Sequence, residues 1–280
     1  MNIIEATVPS NCDIVLMSDT HEGTKLQDTK GVKKTIADIK TGKDTFFIHL
    51  GDEIEAITVD DKRYFVSDKG QLPYNQMEAV CQQFAPIKEK CLVWLDGNHP
   101  LKLWKFGLLT RDQLCKKLSI PYGTYSCVLK LRDKHGPLFK VFLTHGYRKI
   151  GTSAWDPIRR VANMRLQLKN MLMNKVGDCL VMAMGHTHKL LTVTPEEWLY
   201  IVEQNSRLRQ KYFAEAIGAD GFIHPDHRFY VNSGSYVKNF GANGEPSGYA
   251  ETLGLDPTQL GFCKLEIRDR ALSQIKEIHV

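Results

Sequence analysis

Five short polar patches, each closing an apolar run, carry the chemistry legible in this sequence. They are Asp19-Thr20-His21, Gly51-Asp52, Gly97-Asn98-His99, Thr144-His145-Gly146 and Gly185-His186-Thr187-His188, with Glu55 trailing the second. Carboxylate, imidazole and amide oxygen are borderline-to-hard donors. They suit Mn, Fe, Zn, Co or Mg rather than copper or iron–sulfur clusters. One carboxylate has two oxygens and can bridge two cations. Two ions roughly 3.5–4 Å apart can clamp a phosphoryl oxygen and share a hydroxide nucleophile. Taken singly, each patch is weak: Asp-x-His after a strand is commonly a turn, and Asn-His can simply cap backbone groups. Gly-His-Thr-His is the strongest, because histidines at i and i+2 of an extended segment share a face. All five in this order, each after its own apolar run, point to a dinuclear metal site.

Such residues need a rigid frame, and the apolar runs supply one. Asp13 to Ser18, Phe46 to Leu50 and Cys91 to Leu95 read as buried strands. Lys30 to Lys40 reads as a helix with Val32, Ile36 and Ile39 on one side, and Pro73 to Lys88 as a helix until Pro86. This alternation implies a largely parallel, two-sided sheet. After Ser119 the rhythm changes. Tyr125 to Leu131 and Phe139 to Thr144 flank a turn-rich Asp133 to Pro137, which is hairpin chemistry. Cys179 to Met184, Phe229 to Asn232, Gly261 to Ile267 and Ile275 to Val280 read as further strands. Two segments look like insertions on this frame. One is a helix within Trp155 to Lys175, starting near Asp156-Pro157. The other is a helical segment from Pro195 to Ala216, followed by a loop from Gly218 to His227.

The 280 residues can bury a large core, and no linker divides them, so one elaborated domain is expected. No apolar run approaches the ~18 residues of a transmembrane helix, and Met1 to Cys12 lacks a secretory pattern. The seven scattered cysteines form no CxxC pair and read as reduced core thiols of a cytoplasmic protein. The net charge of +5 suits an anionic substrate without indicating nucleic acid by itself.

On these motifs the chain resembles the calcineurin-like metallophosphoesterase superfamily, in its bacterial and phage-type members. D-x-H, G-D, G-N-H, H-G and G-H-x-H all occur in order between Asp19 and His188. The resemblance implies a four-layered α/β/β/α sandwich of two mixed sheets flanked by helices, with a dinuclear centre at one edge. It makes Asp19, His21, Asp52 and His188 ligands of one divalent ion. Asp52 bridges to a second, completed by Asn98, His145 and His186. Mn2+ is the expected metal, with Fe, Zn, Co, Ni or Mg as alternatives. His99 would not ligate but would stabilise charge and protonate the leaving oxygen, and Glu55 would orient it. The implied reaction is phosphoester hydrolysis by a metal-bridging hydroxide. Two departures set the chain apart from the protein Ser/Thr phosphatase branch. Ala56 and Ile57 follow Glu55 where that branch has Asp-Arg-Gly, and Pro100 follows Gly-Asn-His where it has an acidic residue.

The leading expectation is a phosphodiesterase or nuclease acting on nucleic acid or nucleotides. The alternatives are a small-molecule phosphomonoesterase or pyrophosphohydrolase, and a metal-binding scaffold. Arg148, Lys149, Arg159, Arg160, Arg165, Lys169 and Lys175 crowd the region after His145. On a helical wheel, however, Val161, Met164, Leu168, Met171 and Leu172 make an apolar face, so a core-packing helix with solvated charges is expected. Trp104, flanked by Lys102 and Lys105, is expected to pack on a helix, with stacking on a base as the alternative; His49 is expected in the core, and His224 and His227 in an exposed loop.

Overall fold

Strands that are apolar on both faces must be covered on both faces, and this chain does so with two stacked sheets between helical layers. The computed structural model describes residues 1–58, 72–212, 221–241, 254 and 256–280. In chain order its strands are β1 (Asn2–Thr7), β2 (Cys12–Met17), β3 (Thr45–His49), β4 (Cys91–Trp94), β5 (Ser126–Asp133), β6 (Gly136–Thr144), β7 (Val181–Met184), β8 (Leu190–Val193), β9 (Leu199–Gln204), β10 (Arg207–Tyr212), β11 (Phe229–Ser233), β12 (Gly261–Arg268) and β13 (Ala271–His279). The helices are α1 (Thr29–Thr41), α2 (Pro73–Phe84), α3 (Asn98–Leu101), α4 (Lys116–Leu118) and α5 (Pro157–Leu172).

One sheet has five strands in the order β13-β12-β2-β3-β4, the other six in the order β1-β5-β6-β7-β11-β8. Both are mixed. β2, β3 and β4 run parallel, as do β6, β7 and β11, whereas β12 and β8 join antiparallel. Strand alternation sorts the core. In β2, Ile14 and Leu16 meet the other sheet, while Val15 and Met17 pack with Val32, Ile36 and Ile39 of α1 and Met77 and Val80 of α2. In β5, Cys127, Leu129 and Leu131 face the sheet interface, while Val128 packs with Leu168 and Leu172 of α5. The result is the four-layered α/β/β/α sandwich. All seven cysteines are buried and free.

Three expectations need correction. First, the segment from Pro195 is not helical: β9 and β10 form an antiparallel hairpin. Leu199-Tyr200-Ile201-Val202 has strand propensity, and Asn205 (φ 55°) and Ser206 (φ 58°) take the left-handed conformations of a two-residue hairpin turn. Residues 213–216 of that expected helix and 218–220 of the loop after it lie outside the described residues. Second, α5 begins as expected, with the Asp156 side chain accepting from the Arg159 backbone N–H at 2.8 Å. Leu168 and Leu172 are buried and Met164 and Met171 pack partly buried beside them, as the wheel expects, but Val161 is exposed with the rest of the first half of the helix. Third, Trp104 does not pack: it is 49% exposed in a short 3-10 turn, Trp104–Phe106.

Candidate metal centre

The five patches all follow the C-terminal ends of parallel strands: β2, β3 and β4 in one sheet, β6 and β7 in the other. Functional groups collect there in open α/β sheets because rigid strands end and accessible loops begin. Backbone hydrogen bonds lace the loops together. Asp19 N–H donates to the Gly51 carbonyl at 3.0 Å, His21 N–H to that of Asp52 at 3.0 Å, and Gly185 N–H to that of His145 at 3.1 Å. The turns are sharp. Asp19, His21, Asp52, His186 and His188 have φ of 53°, 44°, 53°, 70° and 55°. Non-glycine residues rarely adopt such angles, and clusters of them mark functional sites. Gly97 is fixed by proximity, since a Cβ there would lie 2.0 Å from Asp52 Oδ1.

The side chains converge in two groups. Asp19 Oδ1 lies 3.2 Å from His188 Nε2 and 3.7 Å from His21 Nε2. Asp52 Oδ2 lies 3.2 Å from His145 Nε2, and Asn98 Oδ1 is 2.9 Å from His145 Nε2 and 2.7 Å from His186 Nδ1. Asp52 Oδ2 is also 3.8 Å from His21 Nε2, so one carboxylate faces both groups. The donor atoms of Asp19, His21 and His188 lie within 4.8 Å of one another, as do those of Asp52, His145 and His186. Each set could hold one cation.

A polar side chain nine-tenths or more buried is normally hydrogen-bonded. Asp19 Oδ1 and His21 Nε2 are buried and lack any hydrogen bond. Their neighbours on the same side chains are satisfied. Asp19 Oδ2 accepts from Ser18 Oγ and, at 2.9 Å, from His186 N–H, and His21 Nδ1 meets Glu55 Oε2 at 2.8 Å. His145 Nδ1 likewise donates to the Leu50 carbonyl at 2.8 Å. Holding Nδ1–H on an acceptor leaves the Nε2 lone pair for a metal, which is how ligating histidines are usually oriented. The residues present therefore fit a pair of divalent ions.

Charge balance supports the same reading. Burial disfavours ionised Asp19 and Asp52, but His188 beside the first and His145 beside the second outweigh it and hold both well below the usual carboxylate range. Burial likewise opposes charge on His145, yet Asp52 lifts it to about 9, and Glu55 and Asp19 lift His21 well above its ordinary value. Protons on these imidazoles balance the carboxylates where cations would otherwise do so.

His99 and Glu55 form a third group with His21. The His99 backbone N–H donates to Asp52 Oδ1 at 2.8 Å, and its Nδ1 meets the Glu55 carbonyl oxygen at 2.5 Å. The Glu55 carboxylate lies nearer to His21 than to His99, whose Nδ1 is 3.7 Å from Oε1. Burial and the adjacent His21 push His99 down to about 4.

Several supporting residues carried no strong sequence signal. Ser235 Oγ and the Tyr236 N–H both donate to the Asp19 carbonyl, at 3.3 and 3.2 Å, and Asn232 Nδ2 donates to Thr187 Oγ1. His49 is in the core as expected, stacked on Trp94 with centroids 4.0 Å apart, and its Nδ1 accepts from Gly51 N–H at 3.2 Å. Burial drives its pKa down to about 3, so it folds neutral. A lowered pKa contributes stability above the unfolded value near 6.5, which is lost as pH falls towards 3. His49→Gln should therefore lose its stability deficit relative to wild type by about 2 kcal/mol between pH 6.5 and 4.5. Urea unfolding of the two metal-free proteins checks this, and a constant difference would contradict it.

Comparison with known proteins identifies the family. The sequence model for calcineurin-like phosphoesterases matches residues 13–217, so the chain belongs to that family. Its class is that of a metal-dependent phosphoester hydrolase. No curated protein sequence matches significantly. Similar solved structures include a single mutant of Vps29 from Entamoeba histolytica, at 15% identity and TM-score 0.37, covering 96% of this chain and 99% of that one. Another is the NAD nucleotidase NadN of Haemophilus influenzae, at 14% identity and TM-score 0.39, covering 96% of this chain and 50% of that one. Among the described residues, no helix is long and apolar enough to cross a membrane.

Proposed function

We propose that the protein is a dinuclear phosphodiesterase acting on nucleic acid or nucleotides. Asp19, His21, Asp52 and His188 hold one divalent ion, and Asp52, Asn98, His145 and His186 the second. The observation that carries this reading is the pair of side-chain groups facing the single carboxylate Asp52, with Asp19 Oδ1 and His21 Nε2 left without hydrogen bonds between them. When bound, the ions supply an activated water and neutralise the non-bridging phosphoryl oxygens.

The chain's own groups do the rest. Glu55 and the Leu50 carbonyl fix the tautomers of His21 and His145. The Glu55 carbonyl fixes Nδ1–H of His99 and leaves Nε2 to meet the leaving oxygen. His99 enters the cycle neutral, and an approaching phosphate anion favours its protonated, donating form. The diester preference is supported by exposed cations and aromatics just after two patches: Lys102, Trp104 and Lys105 beyond His99, and Tyr147 and Arg148 beyond His145. Such pairings suit a strand of phosphates and bases.

A panel of bis-p-nitrophenyl phosphate, p-nitrophenyl phosphate, cyclic nucleotides and single- and double-stranded DNA, with Mn2+ added, tests the reading. Faster cleavage of the diesters is expected. Preference for the monoester would replace the reading by a phosphomonoesterase, and inactivity with metal bound would indicate a scaffold.

Metal binding should also be proton-linked. His145 keeps its proton up to about 9 in the metal-free protein, so an ion must displace it. The apparent Mn2+ affinity should fall about tenfold per unit as pH drops from 8 to 6, with proton release in calorimetry. An affinity independent of pH would contradict the ligand role of His145.

A further inference from the structure

A cavity of about 390 Å³ opens between β5, β6 and β7 and the end of α5. Its walls are chiefly apolar, with Phe142, Met171, Leu172, Val176 and Met184, and Tyr125 closes one side. Ligand pockets are typically of this size and character. None of the seven ligands lines the cavity, but its wall touches one of them. The Tyr125 ring packs edge-on against His145 with centroids 5.5 Å apart, and its hydroxyl donates to the carbonyl of Gly146, which also lines the cavity. Met184 lies two residues before His186. At the rim stands Tyr147, 55% exposed, with the Lys175 ammonium 5.7 Å and the Arg148 guanidinium 5.1 Å from its ring centroid. The cavity thus combines an apolar interior, an aromatic side chain at the mouth and two cations against that ring.

We propose that this cavity is a specificity subsite that takes the aromatic ring of one ester group of the substrate. The inference rests on the phosphoesterase reading of the adjoining centre and names what that centre selects. Apolar walls reward removal of a ring from water. Methionines at 171 and 184 adapt to its outline. Tyr147 offers an aromatic surface, and Lys175, which itself lines the cavity, and Arg148 supply positive charge that attracts a phosphoryl group. A methyl or other small alkyl ester would leave the cavity unfilled.

Phosphonates resist cleavage and report binding alone. With Mn2+ present, phenylphosphonate should bind about tenfold or more tightly than methylphosphonate in calorimetry. Val176→Trp, which fills the cavity, and Tyr147→Ala, which removes an exposed side chain without disturbing the core, should each reduce that preference several-fold. Leu208→Ala, on the distant and exposed β10, should preserve it. Equal affinity of the two phosphonates for the wild-type protein would overturn the proposal, as would an undiminished preference in both Val176→Trp and Tyr147→Ala. Thymidine 5′-p-nitrophenyl phosphate and methyl p-nitrophenyl phosphate as substrates then separate a nucleobase from a simple aryl group as the favoured ring. Cleavage of bis-p-nitrophenyl phosphate in the same samples reports separately on the hydrolase reading. A phenyl preference without cleavage would uphold the subsite and sink that reading.

Discussion

Asp52→Asn should lower phosphodiester turnover by about a thousandfold or more and reduce bound metal at the same time. The amide keeps the size of the side chain but removes one anionic oxygen and the charge. Asp52 Oδ2 is the atom that approaches both His145 Nε2, at 3.2 Å, and His21 Nε2, at 3.8 Å, so its loss weakens both halves of the centre. Oδ1 has a second task, accepting the His99 backbone N–H at 2.8 Å, which an amide oxygen can still perform. The loop should therefore hold its shape while the ions leave. Elemental analysis of the purified variant, alongside initial rates at saturating Mn2+, checks both parts. Full metal content with normal turnover would remove Asp52 from the centre.

His99→Ala should separate the two properties. Metal content should stay near the wild-type level, because the donor groups of Asp19, His21 and His188 and of Asp52, His145 and His186 do not need His99. Turnover of diesters with poor, alkoxide leaving groups should fall by about 10²–10⁴, the usual contribution of a positioned general acid. Esters of p-nitrophenol, whose anion departs without a proton, should lose far less. A uniform loss across leaving groups would assign His99 to phosphate binding rather than proton transfer. Equal activity in the variant would remove it from the reaction.

Much of this site was legible because metal ligands need particular donor types, and these sit in short motifs at strand ends. The order Asp19, His21, Asp52, Asn98, His145, His186, His188 could be read without the fold, and the structure gathers these side chains in two groups. That β2 is buried on both faces was legible too, since such a strand reads as an unbroken apolar run. What escaped was contact between distant residues of ordinary type. Ser235 and Tyr236 brace Asp19 across more than two hundred positions, and nothing in a serine or tyrosine announces that. Glu55 was legible as an acidic neighbour, but not that its carboxylate would reach His21 while its carbonyl held His99. The β9–β10 hairpin was misread because its residues are mostly exposed and belong to no buried face that would impose a period of two. The helix α5 was placed well at its Asp156 cap, yet its wheel could not show that the first half extends beyond the sheet it packs on.

The central claim is that two ions share Asp52. Anomalous diffraction from crystals of the protein soaked in Mn2+ tests it most directly. Two manganese peaks are expected, one among Asp19, His21 and His188 and one among Asn98, His145 and His186, with Asp52 touching both. A single peak, or two that do not share Asp52, would contradict the account.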